Sequence, residues 1–242
     1  MRHILSRTDP QPFSGMDVAW LVAERAQSRR DHPFIIWAPF DGPAEVITYG
    51  QFHARIGRIA GGLARRGVRA GDCVLIHLEN CPETLLAWYA CAWIGAVAVT
   101  TNARASDNEL TYYADHCGAV AGITQPRFAA RVAASCRALR WLAVTATDSG
   151  EAPQQPPDAA SRFDAIDAEP PLRRAPDPLA PCSVQYTSGT TSRPKAVLWT
   201  HANALWGARI NAAHEDLRAE DVHLVYLPRA ARATTRMWAS AA

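Results

Sequence analysis

Between Thr187 and Lys195 the chain places Thr187, Ser188, Thr190, Thr191 and Ser192 around Gly189 and closes with Pro194 and Lys195. Short hydroxyls donate hydrogen bonds in directions they can adjust, glycine lets backbone N–H groups approach a ligand closely, and lysine adds a point charge. Several convergent donors and one cation suit phosphate oxygens. A polar hairpin turn suits the same composition, because Ser, Thr, Gly and Pro are ordinary loop residues.

A Walker-type phosphate loop, GxxxxGK[ST], fits less well. Counted from Gly189, Pro194 stands where its second glycine belongs and Ala196 where its magnesium-binding hydroxyl belongs. That loop also opens a helix, whereas the following "KAVLWT" reads as a strand.

The elements that must position this stretch alternate up to residue 145. Asp17 precedes the helical run "VAWLVAERAQ". Thr48 with Gln51 and Ser106 with Glu109 form capping boxes, the first ahead of Phe52, Ile56, Ile59 and Leu63 on one helical face. Asn80, Pro82 and Glu83 predict a further helix start. Between the helices, "CVLIHL" (73–78), "AVAVT" (96–100), "AVAGIT" (119–124) and "WLAV" (141–144) are short and apolar. Strands alternating with helices predict the α/β class, with a mainly parallel sheet covered on both faces.

From 148 to 181 the texture changes to Pro153, Pro156, Pro157, Pro170, Pro171, Pro176, Pro178 and Pro181 with few large apolar groups. This predicts a surface connection, not a core element. The expected organisation is a first α/β subdomain over 15–147, the connection over 148–181, and the start of a second subdomain and sheet over 182–228. That second unit comprises "CSVQY", the hydroxyl-rich stretch, "AVLWT", a helix over about 202–213, and a buried strand in "VHLVYLP".

The 242 residues are 48% hydrophobic, enough for a substantial core, and the formal charge of +2 is too small and scattered for a nucleic-acid footprint. A small-molecule partner follows. Six cysteines without a CxxC pair predict reduced, mostly buried thiols, with Cys182 a core residue and not a nucleophile. The uncharged run 84–103 is about as long as a membrane span, but Gly95 divides it into a buried helix and a buried strand, with Trp88 and Trp93 in the core. With no secretory signal in "MRHILSRTDPQPF", a cytoplasmic location is expected.

Val184 to Lys195 resembles the signature of the adenylate-forming (AMP-binding) superfamily: apolar, two variable, small hydroxyl, small, Gly, Ser/Thr, Thr, Gly or Ser, variable, Pro, Lys. The likeness extends over about 15–228, through the strand entry "GVRAGD", the "GAV" step and "WTHAN". "YTSGTTSRPKAVLWTHAN" is most similar to acyl-CoA synthetases of the crotonobetaine/carnitine-CoA type. The resemblance implies an ATP-dependent carboxylic acid–CoA ligase using ATP, Mg2+ and coenzyme A. Thr187, Ser188, Gly189, Thr190, Thr191 and Lys195 would then hold the ATP phosphates, with Thr190 or Thr191 near the magnesium ion. His201 and Asn203 would serve structurally at a helix start.

The pattern breaks after Leu227 and Pro228, where Arg229, Ala230 and Ala231 replace the family's apolar residue and Phe-His. Its Tyr-Gly-x-Thr-Glu segment, ribose-binding Asp and adenylation lysine have no counterpart here, and no catalytic residue is identifiable. The expectation is an N-terminal fragment, ended by a frameshift or premature stop near 229 and carrying an aberrant tail over 229–242. It would not catalyse adenylation, and it would expose an apolar face. The alternatives are a non-catalytic nucleotide- or partner-binding remnant and an adenylation domain for another acceptor thiol.

Overall fold

The computed structural model describes residues 11–39, 42–146, 160–187 and 193–225. Helix α1 (Val18–Ser28) starts at Asp17, whose Oδ1 accepts the Trp20 N–H at 2.6 Å. A two-stranded antiparallel ribbon follows, β1 (Pro33–Trp37) and β2 (Glu45–Thr48). Helix α2 (Tyr49–Arg65) begins at the Thr48/Gln51 capping box.

A βα alternation then builds the main sheet: β3 (Cys73–His77), α3 (Pro82–Ile94), β4 (Val97–Thr100), α4 (Asp107–Cys117), β5 (Ala119–Thr124), α5 (Pro126–Ser135) and β6 (Trp141–Val144). After β7 (Ala160–Arg162) come β8 (Pro181–Thr187), β9 (Lys195–Thr200) and α6 (His201–His214). The strand order is β7-β6-β5-β3-β4-β8-β9, and every pair is parallel except β8–β9. The chain is therefore an α/β protein with a mainly parallel sheet.

Side chains on a strand alternate between faces, so each strand serves two cores. Val74 and Ile76 of β3 join the core against α1, α2, α3 and α6, while Leu75 joins the one against α4 and α5. Helix α3 is buried nearly all round, as a helix with no polar face must be. It ends at Gly95, whose left-handed φ of 74° turns the chain into β4. No helix among the described residues is long and apolar enough to cross a membrane.

Several expectations need correction. Helix α3 is capped by Cys81, not Asn80, and without a side-chain hydrogen bond. Cys81 precedes Pro82 and is held extended by the proline ring, so the cap position falls there. The proline-rich connection is not wholly superficial: β7 forms the sheet edge, and Phe163 and Ile166 are buried. The connection lies against α2 because that helix presents Gly57, Gly61 and Gly62, and a Cβ on Gly61 would collide with the Glu169 carbonyl. Arg58 also donates to Asp167 at 2.7 Å, and Trp93 Nε1 donates to the Pro171 carbonyl at 3.0 Å.

Strands β8 and β9 extend the first sheet and do not open a second one. Residues 222–225 form no strand, and Val222 and Leu224 are exposed. Alternating apolar residues become a strand only with a ladder partner, and the described residues supply none there. The remainder of that expected strand, 226–228, and the tail 229–242 lie outside the described residues.

Candidate phosphate-binding loop

Strands β8 and β9 form an antiparallel hairpin in which Thr187 pairs with Lys195 and Tyr186 with Ala196. The Thr187 hydroxyl donates to the Lys195 carbonyl at 3.5 Å. Both stems of the loop are therefore held by the ladder. Ser188, Gly189, Thr190 and Thr191 lie outside the described residues. Because β8 runs parallel to β4 and β3, the loop emerges at the carboxyl edge of the parallel strands. Open α/β sheets place their ligands at that edge.

Helix α4 supports both stems. Tyr113 stacks on Tyr186 with ring centroids 4.2 Å apart, and the Tyr186 hydroxyl lies 3.0 Å from His116 Nδ1 and 3.3 Å from the Tyr113 carbonyl. Burial raises the Tyr186 pKa above its usual value, so the hydroxyl stays protonated as a donor. On the other stem Tyr112 donates to the Pro194 carbonyl at 3.2 Å, and the Arg193 guanidinium sits 6.0 Å from the Tyr112 ring centroid. These α4 residues were missed by sequence reasoning. The available signal was Tyr112 and His116, four residues apart on one face of a helix already recognised from its capping box.

Among the described residues neither Arg193 nor Lys195 has an ion-pair partner, and Lys195 is exposed. Lys195 is also the only lysine in a chain with 25 Lys+Arg. Elsewhere its cations are arginines. Lysine presents a compact charge that a planar guanidinium does not reproduce.

His201 and Asn203 stand outside this loop. Asn203 closes a capping box with Thr200 at the start of α6, its Oδ1 accepting the Thr200 N–H at 3.0 Å. His201 is buried, and its Nδ1 accepts the Val18 N–H of α1 at 3.4 Å. Burial lowers its pKa and keeps the ring neutral, as that acceptor role requires. Burial likewise pushes the Cys182 thiol up to about 12, which makes it inert. Trp88 and Trp93 are core residues.

No group of three or more His, Cys, Asp or Glu among the described residues could hold a metal ion. The hydroxyls of the loop both donate and accept and its lysine only donates, a set that suits an anion better than a bare cation. A magnesium ion fits here only alongside the phosphates it neutralises.

A mainly parallel α/β sheet with two cationic side chains, Arg193 and Lys195, at its carboxyl edge is compatible with many enzyme classes. The comparisons narrow these classes: residues 22–241 match the family model "AMP-binding enzyme", and the chain belongs to that family. It is 34% identical over 182 residues to a feruloyl-CoA synthase of Amycolatopsis, covering 75% of this chain and 34% of that protein. It is 32% identical over 196 residues to a crotonobetaine/carnitine–CoA ligase of Escherichia coli, covering 77% and 37%. The chain thus spans about a third of the length of these curated relatives. Among solved structures, Mycobacterium smegmatis MbtA superposes with a TM-score of 0.80 at 28% identity, covering 94% of this chain and 42% of that one. The Bacillus subtilis o-succinylbenzoate-CoA synthetase MenE, solved with AMP, shares the fold with a TM-score of 0.75 at 24% identity, over 91% and 52%.

Proposed function

We propose that this chain carries the ATP phosphate-binding side of a carboxylic acid–CoA ligase site. In the proposed reaction a carboxylate oxygen attacks the α-phosphorus of ATP, the bond to the β-phosphate oxygen breaks, and acyl-AMP and pyrophosphate result. The thiolate of coenzyme A then attacks the acyl carbon and AMP leaves. Thr187, Ser188, Gly189, Thr190, Thr191 and Lys195 would bind the β- and γ-phosphates and stabilise the charge that builds on the departing pyrophosphate. Magnesium would supply further neutralisation of the phosphates when bound. The names of the two curated relatives, both acid–CoA ligases, support this assignment.

The observation that carries the proposal is Lys195, the sole lysine of the chain, exposed and unpaired among the described residues at the stem of a loop clamped on both sides. It also supplies the test. An amine-selective acylating reagent has two targets in this protein, Lys195 and the α-amino group. Saturating Mg-ATP should slow acylation of Lys195 at least tenfold and leave the α-amino rate unchanged. Equal rates at Lys195 with and without nucleotide would refute the assignment.

A further inference from the structure

Tyr186 immediately precedes Thr187, and its hydroxyl has one proton and two polar neighbours on α4. It donates to the Tyr113 carbonyl at 3.3 Å and lies 3.0 Å from His116 Nδ1. A single phenolic proton cannot serve both contacts. Both are hydrogen bonds only if Nδ1 carries a proton and donates to the phenol oxygen while the phenol donates to the carbonyl.

We propose, on the reading of the loop as a phosphate site, that His116 is a positioning residue for phosphate binding, acting through Tyr186 as an Nδ1–H donor. Helix α4 carries Tyr112, Tyr113 and His116 three and four residues apart on one face. The His116 ring centroid lies 5.9 Å from that of Tyr186 and 5.1 Å from that of Tyr112, whose hydroxyl holds the Pro194 carbonyl. His116 thus touches the aromatic residue at each stem. Its bond to Tyr186 fixes the phenol that anchors β8 on α4, one residue before the first hydroxyl of the loop. A histidine in the last turn of a helix also complements the helix dipole, but that role needs only its charge and not a donor aimed at Tyr186.

The test uses the whole 242-residue chain and the acylation of Lys195 with and without Mg-ATP. His116→Phe keeps a ring and removes the donor, whereas His116→Asn removes the ring and keeps an N–H near the position of Nδ1. Half-protection of Lys195 should need about two- to fivefold more Mg-ATP in His116→Phe, the low end for one hydrogen bond because this one is open to water, and the wild-type amount in His116→Asn. In a Tyr186→Phe background, His116→Phe should add no further loss. Imidazole nitrogen NMR should place the proton of the neutral His116 ring on Nδ1, the signal being assigned by its disappearance in His116→Asn. Wild-type protection in His116→Phe, equal losses in the two variants, or a proton on Nε2 would overturn the role of His116 and leave the phosphate assignment standing. Absence of protection in the wild type would overturn both. Should His116→Phe fail to fold, the wild-type tautomer decides alone.

Discussion

Tyr112 donates its hydroxyl to the Pro194 carbonyl across 3.2 Å and so ties α4 to the far stem of the candidate phosphate loop. Its ring also packs against Tyr186, with centroids 5.9 Å apart, on the near stem. One residue therefore braces both ends of the loop proposed to bind phosphate. Preorganised donors bind an anion without a further cost of ordering.

Tyr112→Phe removes the bond to Pro194 and keeps the ring contacts. A hydrogen bond of this kind contributes about 0.5–1.5 kcal/mol, so Mg-ATP binding should weaken roughly two- to tenfold with little change in global stability. Amide hydrogen exchange at 193–196 should quicken. Unchanged exchange there would remove the bracing role.

His77 gives the fold a pH dependence. It is fully buried at the end of β3, with Nδ1 2.8 Å from the Thr101 hydroxyl, and burial, aided by nearby Arg131, pushes its pKa down to about 4. The unfolded value is about 6.5, so between the two the unfolded chain binds more protons. Stability is therefore present above that window and is lost as pH falls through it, by up to about 3 kcal/mol. His201, also lowered by burial, acts in the same direction. His77→Asn should flatten the change in urea midpoint between pH 7 and pH 4.5, leaving the part due to His201. An unaltered slope would rule out His77 as its source.

Gly61→Ala should destabilise the fold. On an exposed helix this change gains up to about 1 kcal/mol, but here the methyl group meets the backbone of Ala168 and Glu169. Overpacking of this kind costs about 1–3 kcal/mol. Thermal melts of Gly61→Ala beside Gly67→Ala, which meets nothing within 4 Å but strains a φ of +86°, would separate crowding from backbone strain. Gly61→Ala should also speed exchange across 163–169, and Gly67→Ala should not.

Among the described residues strand β9 is one of the two sheet edges, with Val197 and Leu198 exposed, and Trp206 of α6 is exposed as well. An apolar, unpaired edge favours association with another chain. The protein should self-associate with rising concentration in sedimentation experiments, and Leu198→Lys should reduce this. A monomer at all concentrations would contradict the expectation.

Much of the fold was legible because its signals are local. Thr48/Gln51 and Ser106/Glu109 announce helix starts within four residues, and the run over 119–124 is too short and apolar for anything but a buried strand. Asn80 misled because the proline two positions later moved the cap to Cys81. Val222 and Leu224 misled because a strand pattern says nothing about whether a partner strand is present. The depth of the proline-rich connection was hidden for a related reason: it depends on Gly57, Gly61 and Gly62, more than a hundred residues earlier.

By itself, the sequence determined the α/β class, the register of the loop motif from Val184 to Lys195 and the family that this register resembles, because each rests on neighbouring residues and their spacing. Only the tertiary structure decided that Tyr112, Tyr113 and His116 brace the stems of the loop and that His201 accepts the Val18 N–H of α1. Those contacts join residues far apart in the chain, and strand order and helix packing alone bring them within bonding distance.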